Sequence, residues 1–186
     1  MAMPLVVPRY TLLDLTSFPD DGNRYELVDG FLLVTPAPMP PHQLVLSRIV
    51  SWLVDVLGRP PRALVLFPGV VEIAPNVHLE PDILVVPLDQ PMDGKWTDVR
   101  VFWLAVEVSG RGSRIYDRDY KRPAFLRAGV LAVWRADLKE RCIFVSRPDA
   151  PQEERHPDTI AWQPPCLPQP AVLDVRAVFE GVAGDE

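Results

Sequence analysis

The chain has 186 residues, 48% of them hydrophobic, and a formal net charge of −6. Those values exclude disorder throughout, since the apolar material suffices for a core, and they count against a surface that binds nucleic acid through bulk positive charge. No run of about 18 uncharged apolar residues is present to cross a membrane, residues 1–10 lack the basic-then-apolar order of a signal peptide, and Cys142 and Cys166 have neither metal-ligand nor disulfide-framework spacing, so a cytoplasmic protein with free thiols is expected.

Thr11-Leu12-Leu13-Asp14 resembles a capping box and opens a short helix. Residues 25–34 read as a hairpin around Asp29-Gly30. A stiff proline connector, residues 36–41, leads into a helix over residues 43–57, apolar around most of its circumference and stopped by Gly58 and Pro60. Residues 62–73 predict a strand, or a hairpin bent around Pro68-Gly69. Residues 83–86 and 101–108 are continuously apolar, as central strands are. A helix follows over residues 116–128, with Gly129 as its stop and Pro123 as an internal kink. Residues 130–134 and 142–146 form a strand pair. Residues 148–170, rich in proline, predict an irregular covering segment, and residues 173–179 a last short strand or helix. This order predicts an α/β fold, a mixed sheet with helices against it, in a single domain over residues 1–186 without internal repeats.

Three spaced fragments carry the chemistry: Glu80-Pro81-Asp82-Ile83-Leu84-Val85-Val86, Ala105-Val106-Glu107-Val108-Ser109 and Asp117-Arg118-Asp119-Tyr120-Lys121-Arg122. The first two place a carboxylate in a buried strand, where it is costly unless a charged partner meets it. The third places a lysine on the next helix. Two carboxylates can hold a hard cation through oxygen, the cation activates water beside a phosphate, and an ammonium steadies the charge that develops. The chain carries 16 arginines but only three lysines, Lys95, Lys121 and Lys139, so lysine at 121 is a departure from its own habit. Residues 111–127 hold six basic side chains against two acidic ones, a local patch where a phosphate backbone could approach. The plainer readings are a turn aspartate at 82, a Glu26 paired with Arg24 or Arg48, and a solvated Lys121 paired with Asp117 four residues earlier. His42 plainly read only opens its helix, His78 and His156 have no evident partners, and Glu72 belongs to the exposed face of a strand.

Together with Arg24-Tyr25-Glu26-Leu27-Val28-Asp29-Gly30, Pro41-His42-Gln43 and Ala128-Gly129-Val130 followed by Trp134, these fragments resemble the PD-(D/E)XK nuclease superfamily, and within it the Uma family of restriction-endonuclease-like proteins, from about residue 11 to residue 137. The resemblance implies a restriction-endonuclease-like core, a central mixed β-sheet flanked by helices. It implies a Mg²⁺- or Mn²⁺-dependent endonuclease acting on DNA, with the metal held by Asp82, Glu107 and Glu26, Lys121 beside the scissile phosphate, and phosphate contacts from His42, Arg118 and Arg122. Nothing in the residues themselves separates DNA from RNA. The superfamily lysine, two residues after the second carboxylate, is replaced by Ser109, which implies that its duty has moved to Lys121. Residues Leu131-Ala132-Val133 are less polar than the family pattern. Asp82 and Glu107 are expected to raise each other's pKa. The competing reading is a catalytically inactive binding or assembly module that keeps the nuclease core. A homodimer would ease cleavage of two strands.

Overall fold

The computed structural model describes residues 8–183. A short helix α1 (Leu12–Leu15) precedes the hairpin of β1 (Arg24–Val28) and β2 (Phe31–Thr35). The hairpin turn uses Asp29 at φ 51 and Gly30 at φ 82, the left-handed pair that a two-residue hairpin needs. Helix α2 (Pro40–Leu57) starts on two prolines, which carry no N–H to leave unpaired in its first turn. It buries Val45, Ile49, Leu53 and Leu57 at four-residue spacing. Leu46, Val50 and Trp52 broaden that stripe against the same core.

Strands β3 (Leu64–Leu66), β4 (Val71–Ile73), β5 (Val77–Leu79), β6 (Ile83–Val86) and β7 (Leu104–Ser109) follow. A helical stretch, α3 (Arg114–Tyr116), a wide turn over Asp117–Lys121 and α4 (Arg122–Arg127), then leads to β8 (Val133–Asp137), β9 (Cys142–Arg147), β10 (Ala150–His156), β11 (Thr159–Trp162), β12 (Ala171–Asp174) and α5 (Val175–Phe179). The central sheet is mixed, in the order β10-β9-β8-β7-β6-β3. Its one parallel pair, β7 with β8, is bridged by the α3–α4 segment. A smaller sheet has the order β2-β1-β5-β4, and β11 pairs with β12.

Strand alternation decides which face each residue serves. Leu104, Val106 and Val108 of β7 join the core under α2, together with Ile83 and Val85 of β6. Ala105 and Leu84 join a second core with Ala124 and Phe125 of α4, and with Val28 of β1. Glu107 and Ser109 share the parity of Ala105, and Glu26 shares that of Val28. Period two therefore turns these polar residues toward the face on which the α3–α4 segment lies.

Four sequence expectations are corrected. Residues 62–73 are not one strand or one hairpin: β3 belongs to the central sheet and β4 to the smaller one. The chain crosses between them at Gly69, where an added Cβ would lie 2.2 Å from the Leu84 Cβ. The expected regular helix over residues 116–128 is interrupted by the wide turn, whose Arg122 N–H reaches the Asp117 carbonyl. Pro123 lacks an N–H and crowds the carbonyl one turn back, and the widened turn just before it accommodates this. The proline-rich stretch 148–170 contains β10 and β11. β10 carries no period-two apolar signal because it is a polar edge strand, half-buried or exposed throughout, whereas Ile160 and Trp162 of β11 are buried. Residues 171–179 form both a strand and a helix, with Asp174 accepting a hydrogen bond from the Ala177 N–H at 3.1 Å as the helix cap.

Candidate active site

Asp82 stands immediately before β6, and the antiparallel register Ile83 to Val106 sets it beside Glu107 of β7. Its carboxylate is almost fully buried, yet both oxygens are engaged. The Arg24 guanidinium donates to Oδ1 at 2.8 Å, and the Val108 N–H donates to Oδ2 at 2.9 Å. His42 Nε2, at the start of α2, lies 2.9 Å from Oδ2. Burial alone would raise this pKa. The His42 hydrogen bond and charge, then the Val108 amide and Arg24, override it and hold Asp82 at about 2. The expected mutual elevation with Glu107 therefore fails for Asp82.

A depressed carboxylate stabilises the fold above its unfolded value and loses that contribution as pH falls through the folded value. Between the ordinary 3.8 and about 2, this amounts to about 2 kcal/mol. Asp82→Asn is thus expected to cost about 2 kcal/mol in urea unfolding at pH 7, with the difference from wild type fading as pH drops from 4 through 2. An equal cost at pH 7 and below pH 2 would show that packing, not charge, is lost.

Lys121 is 3% exposed and has three carboxylates around its ammonium. Nζ lies 2.8 Å from Glu107 Oε1, 2.9 Å from Glu26 and 3.8 Å from Asp117 Oδ1. It is not the solvated helix residue of the plainer reading. Burial would lower its pKa, but Glu107, Glu26 and Asp117 raise it well above the ordinary lysine value. Burial pushes Glu107 well above the usual carboxylate range; Lys121 opposes this, while Asp117, Asp82 and Glu26 add to it. Burial likewise raises Glu26 and Asp117. Glu26 has both oxygens committed, to Lys121 and to the Glu80 N–H at 2.7 Å. It pairs with neither Arg24 nor Arg48. Glu80 is itself tied to His78, which lies 3.1 Å from it and 3.0 Å from Glu72. His78 therefore has partners after all, and Glu72 is not simply an exposed strand residue.

A cleft of about 310 Å³ opens over these groups. Asp82, Glu107, Asp117 and Lys121 line it, with His42 and the proline connector on one side and the loop of Gly110 to Ser113 on the other. Glu26 does not line it. Neither do Arg118 and Arg122: Arg118 bonds Asp119 at 2.8 Å, and Arg122 donates to the Arg118 and Pro151 carbonyls. Sequence reasoning missed Arg24 and Asp117 as members of this cluster. Arg24 carried no signal beyond standing two residues before Glu26. Asp117, four residues before Lys121, was read only as a surface partner.

Residues 10–182 match the model of the Uma2 family, described as "putative restriction endonuclease". The chain belongs to the Uma2 family. The likeness read from residues 11–137 thus continues through β10 to α5. A crystal structure from Anabaena variabilis ATCC 29413, described as "a putative nuclease belonging to DUF820", is similar over 94% of this chain and 99% of that one, at 18% identity and a TM-score of 0.72. At that identity the likeness establishes the shared fold. No curated protein matches this Uma2 member.

In this Uma2 chain the cluster holds four buried carboxylates, Glu26, Asp82, Glu107 and Asp117, against two permanent cations, Arg24 and Lys121. With the carboxylates ionised, negative charge exceeds the permanent positive charge, a balance that favours a cation in the cleft. Glu107 Oε1 is buried and, although near Lys121, lies outside hydrogen-bond alignment with it. Among the described residues no three His, Cys, Asp or Glu converge on one metal position. Glu107, whose Oε1 has no aligned hydrogen bond, and Asp82 beside it are oxygen donors of the kind a hard divalent cation such as Mg²⁺ takes.

Proposed function

We propose that this chain is a divalent-metal-dependent endonuclease that hydrolyses DNA phosphodiester bonds. The observation that carries this reading is the convergence, in one cleft, of Asp82 and Glu107 from adjacent strands with the buried Lys121 ammonium 2.8 Å from Glu107. Asp82 and Glu107 would hold Mg²⁺ or Mn²⁺, which when bound supplies Lewis acidity toward phosphate and a more acidic water. Arg24 and the Val108 amide orient Asp82. Lys121 carries a fixed positive charge to the reacting phosphate, and a charge pre-placed in a dry cleft needs no reorganisation during reaction. His42 lines the cleft and holds Asp82 through Nε2, while its Nδ1 is buried without a protein partner. Glu26 acts through Lys121 by holding the ammonium from behind, which is a different task from the metal ligation its sequence position suggested.

A non-cleaving binding module is favoured by the net charge of −6 and by Ser109 at the position, two residues after Glu107, where the superfamily pattern has lysine. Plasmid incubated with Mg²⁺ or Mn²⁺ separates the two. Wild type is expected to nick and linearise it, with chelator abolishing the activity and Glu107→Ala reducing it by at least about 10²-fold. Intact plasmid with wild type under both metals would favour the module. No helix among the described residues is long and apolar enough to cross a membrane.

A further inference from the structure

We propose that Asp117, anchored by Ser109, is the positioning residue that keeps Lys121 in place when Glu107 turns to a cation; this rests on the nuclease reading of the cleft. A structural ion pair for a buried ammonium needs one carboxylate, and Lys121 already touches two, Glu107 and Glu26. A third buried carboxylate costs desolvation without being needed for neutrality. Asp117 is nonetheless 3% exposed, lines the cleft and is held in a defined orientation. The Ser109 hydroxyl, fully buried on β7, donates to Asp117 Oδ2 at 2.7 Å, and the Ser113 side chain also bonds the carboxylate. The other oxygen, Oδ1, faces Lys121 Nζ at 3.8 Å, too long for a hydrogen bond.

That spacing suits a reserve partner. Glu107 is shared between Lys121 and the proposed cation, and a divalent cation drawing on the same carboxylate weakens its hold on the ammonium. Once Glu107 Oε1 is withdrawn, Asp117 supplies the local negative charge that prevents the ammonium from swinging out of the cleft, while Glu26 holds it from the other side. Asp117 and Lys121, four residues apart, are the buried residues of the wide turn. Ser109 occupies the strand position two residues after Glu107 on the same face, and from there it fixes Asp117 rather than touching substrate.

The chain's own composition makes the test clean. Lys95 and Lys139 are exposed and Lys121 is buried, so protein labelled with ¹⁵N-lysine gives one slowly exchanging ammonium signal. In Asp117→Asn that signal is expected to exchange with water about tenfold faster in the presence of diamagnetic Mg²⁺, and kcat to fall about 10²-fold, the cost of displacing a catalytic group by about 1 Å. KM stays within about twofold of wild type, and Mn²⁺ still binds, more weakly for the loss of one nearby negative charge. Ser109→Ala, which leaves every charge in place, is expected to show the same pattern more weakly. The double variant is expected to be no worse than Asp117→Asn, because the two residues act as one unit. Thermal melts check that each variant is folded. Unchanged ammonium exchange and unchanged kcat in folded Asp117→Asn would overturn the proposal while leaving the nuclease reading intact. Faster exchange in both variants of a protein that cleaves no DNA would uphold the positioning role and remove the nuclease reading.

Discussion

Lys121→Ala is expected to lose cleavage by about 10²–10³-fold, the usual cost of removing one charge-stabilising group from a site, while Mn²⁺ still binds. In the proposed mechanism Asp82 and Glu107 hold the cation, so removing the ammonium would not remove a ligand. The same substitution is expected to destabilise the apo fold, because it leaves Glu26, Glu107 and Asp117 buried without their shared counter-charge. Breaking a buried pair from one side costs about 3–5 kcal/mol. The loss should be larger at pH 8 than at pH 5, since the abandoned carboxylates can take up protons in mild acid and relieve the repulsion. Lys121→Arg is expected to rescue poorly: a planar fork does not fit the space in which three carboxylates converge on a compact ammonium. Plasmid cleavage alongside denaturant unfolding at both pH values checks each part. Full cleavage by folded Lys121→Ala would take the lysine out of the mechanism.

The second large effect is the dependence of the melting temperature on Mn²⁺ and pH. Glu107, Glu26 and Asp117 have folded pKa values raised above their ordinary ones by burial. A raised carboxylate means that the native state binds more protons than the unfolded state. Apo stability is therefore expected to fall as pH rises from the ordinary 4.5 of glutamate up through the elevated native value of Glu107. Lys121 does not contribute in that window, because its raised pKa matters only above the ordinary 10.5. The proposed divalent cation would supply positive charge and compete with protons for Glu107. Millimolar Mn²⁺ is thus expected to raise the melting temperature more at pH 8 than at pH 6. A concentration 100 times the dissociation constant is worth about 2.7 kcal/mol. Glu107→Ala should abolish the Mn²⁺ response at both pH values. A response of equal size in wild type and Glu107→Ala would place the cation elsewhere.

Much of this cleft was legible in the chain, and its legibility has a physical cause. A carboxylate inside an apolar strand stands out because burial penalises charge. Asp82 and Glu107 therefore announced a partner before any fold was known, and the rarity of lysine singled out Lys121. Runs of period two and a long apolar helix between proline and glycine foretold a mixed sheet with α2 against it, because they record which side chains must leave water.

What the chain alone did not determine was how the charges pair. Glu26, expected on a metal, bonds Lys121 and the Glu80 N–H; Asp82 was expected to share a raised pKa with Glu107 and is held near 2 by His42, an amide and Arg24. Arg24, Asp117 and Ser109 became visible as members of the cluster only when β1, β7 and the wide turn before Pro123 met on one face. The crossing at Gly69 and the polar edge strand β10 were equally hidden, since the first depends on contact with Leu84 and the second on hydrogen bonds to β9. Hydrophobic periodicity is written residue by residue, so the sequence by itself determined which elements form and which carboxylates had to be compensated. Electrostatic pairing depends on distances between residues far apart in the chain, and those distances exist only after the sheets and the α3–α4 segment have packed.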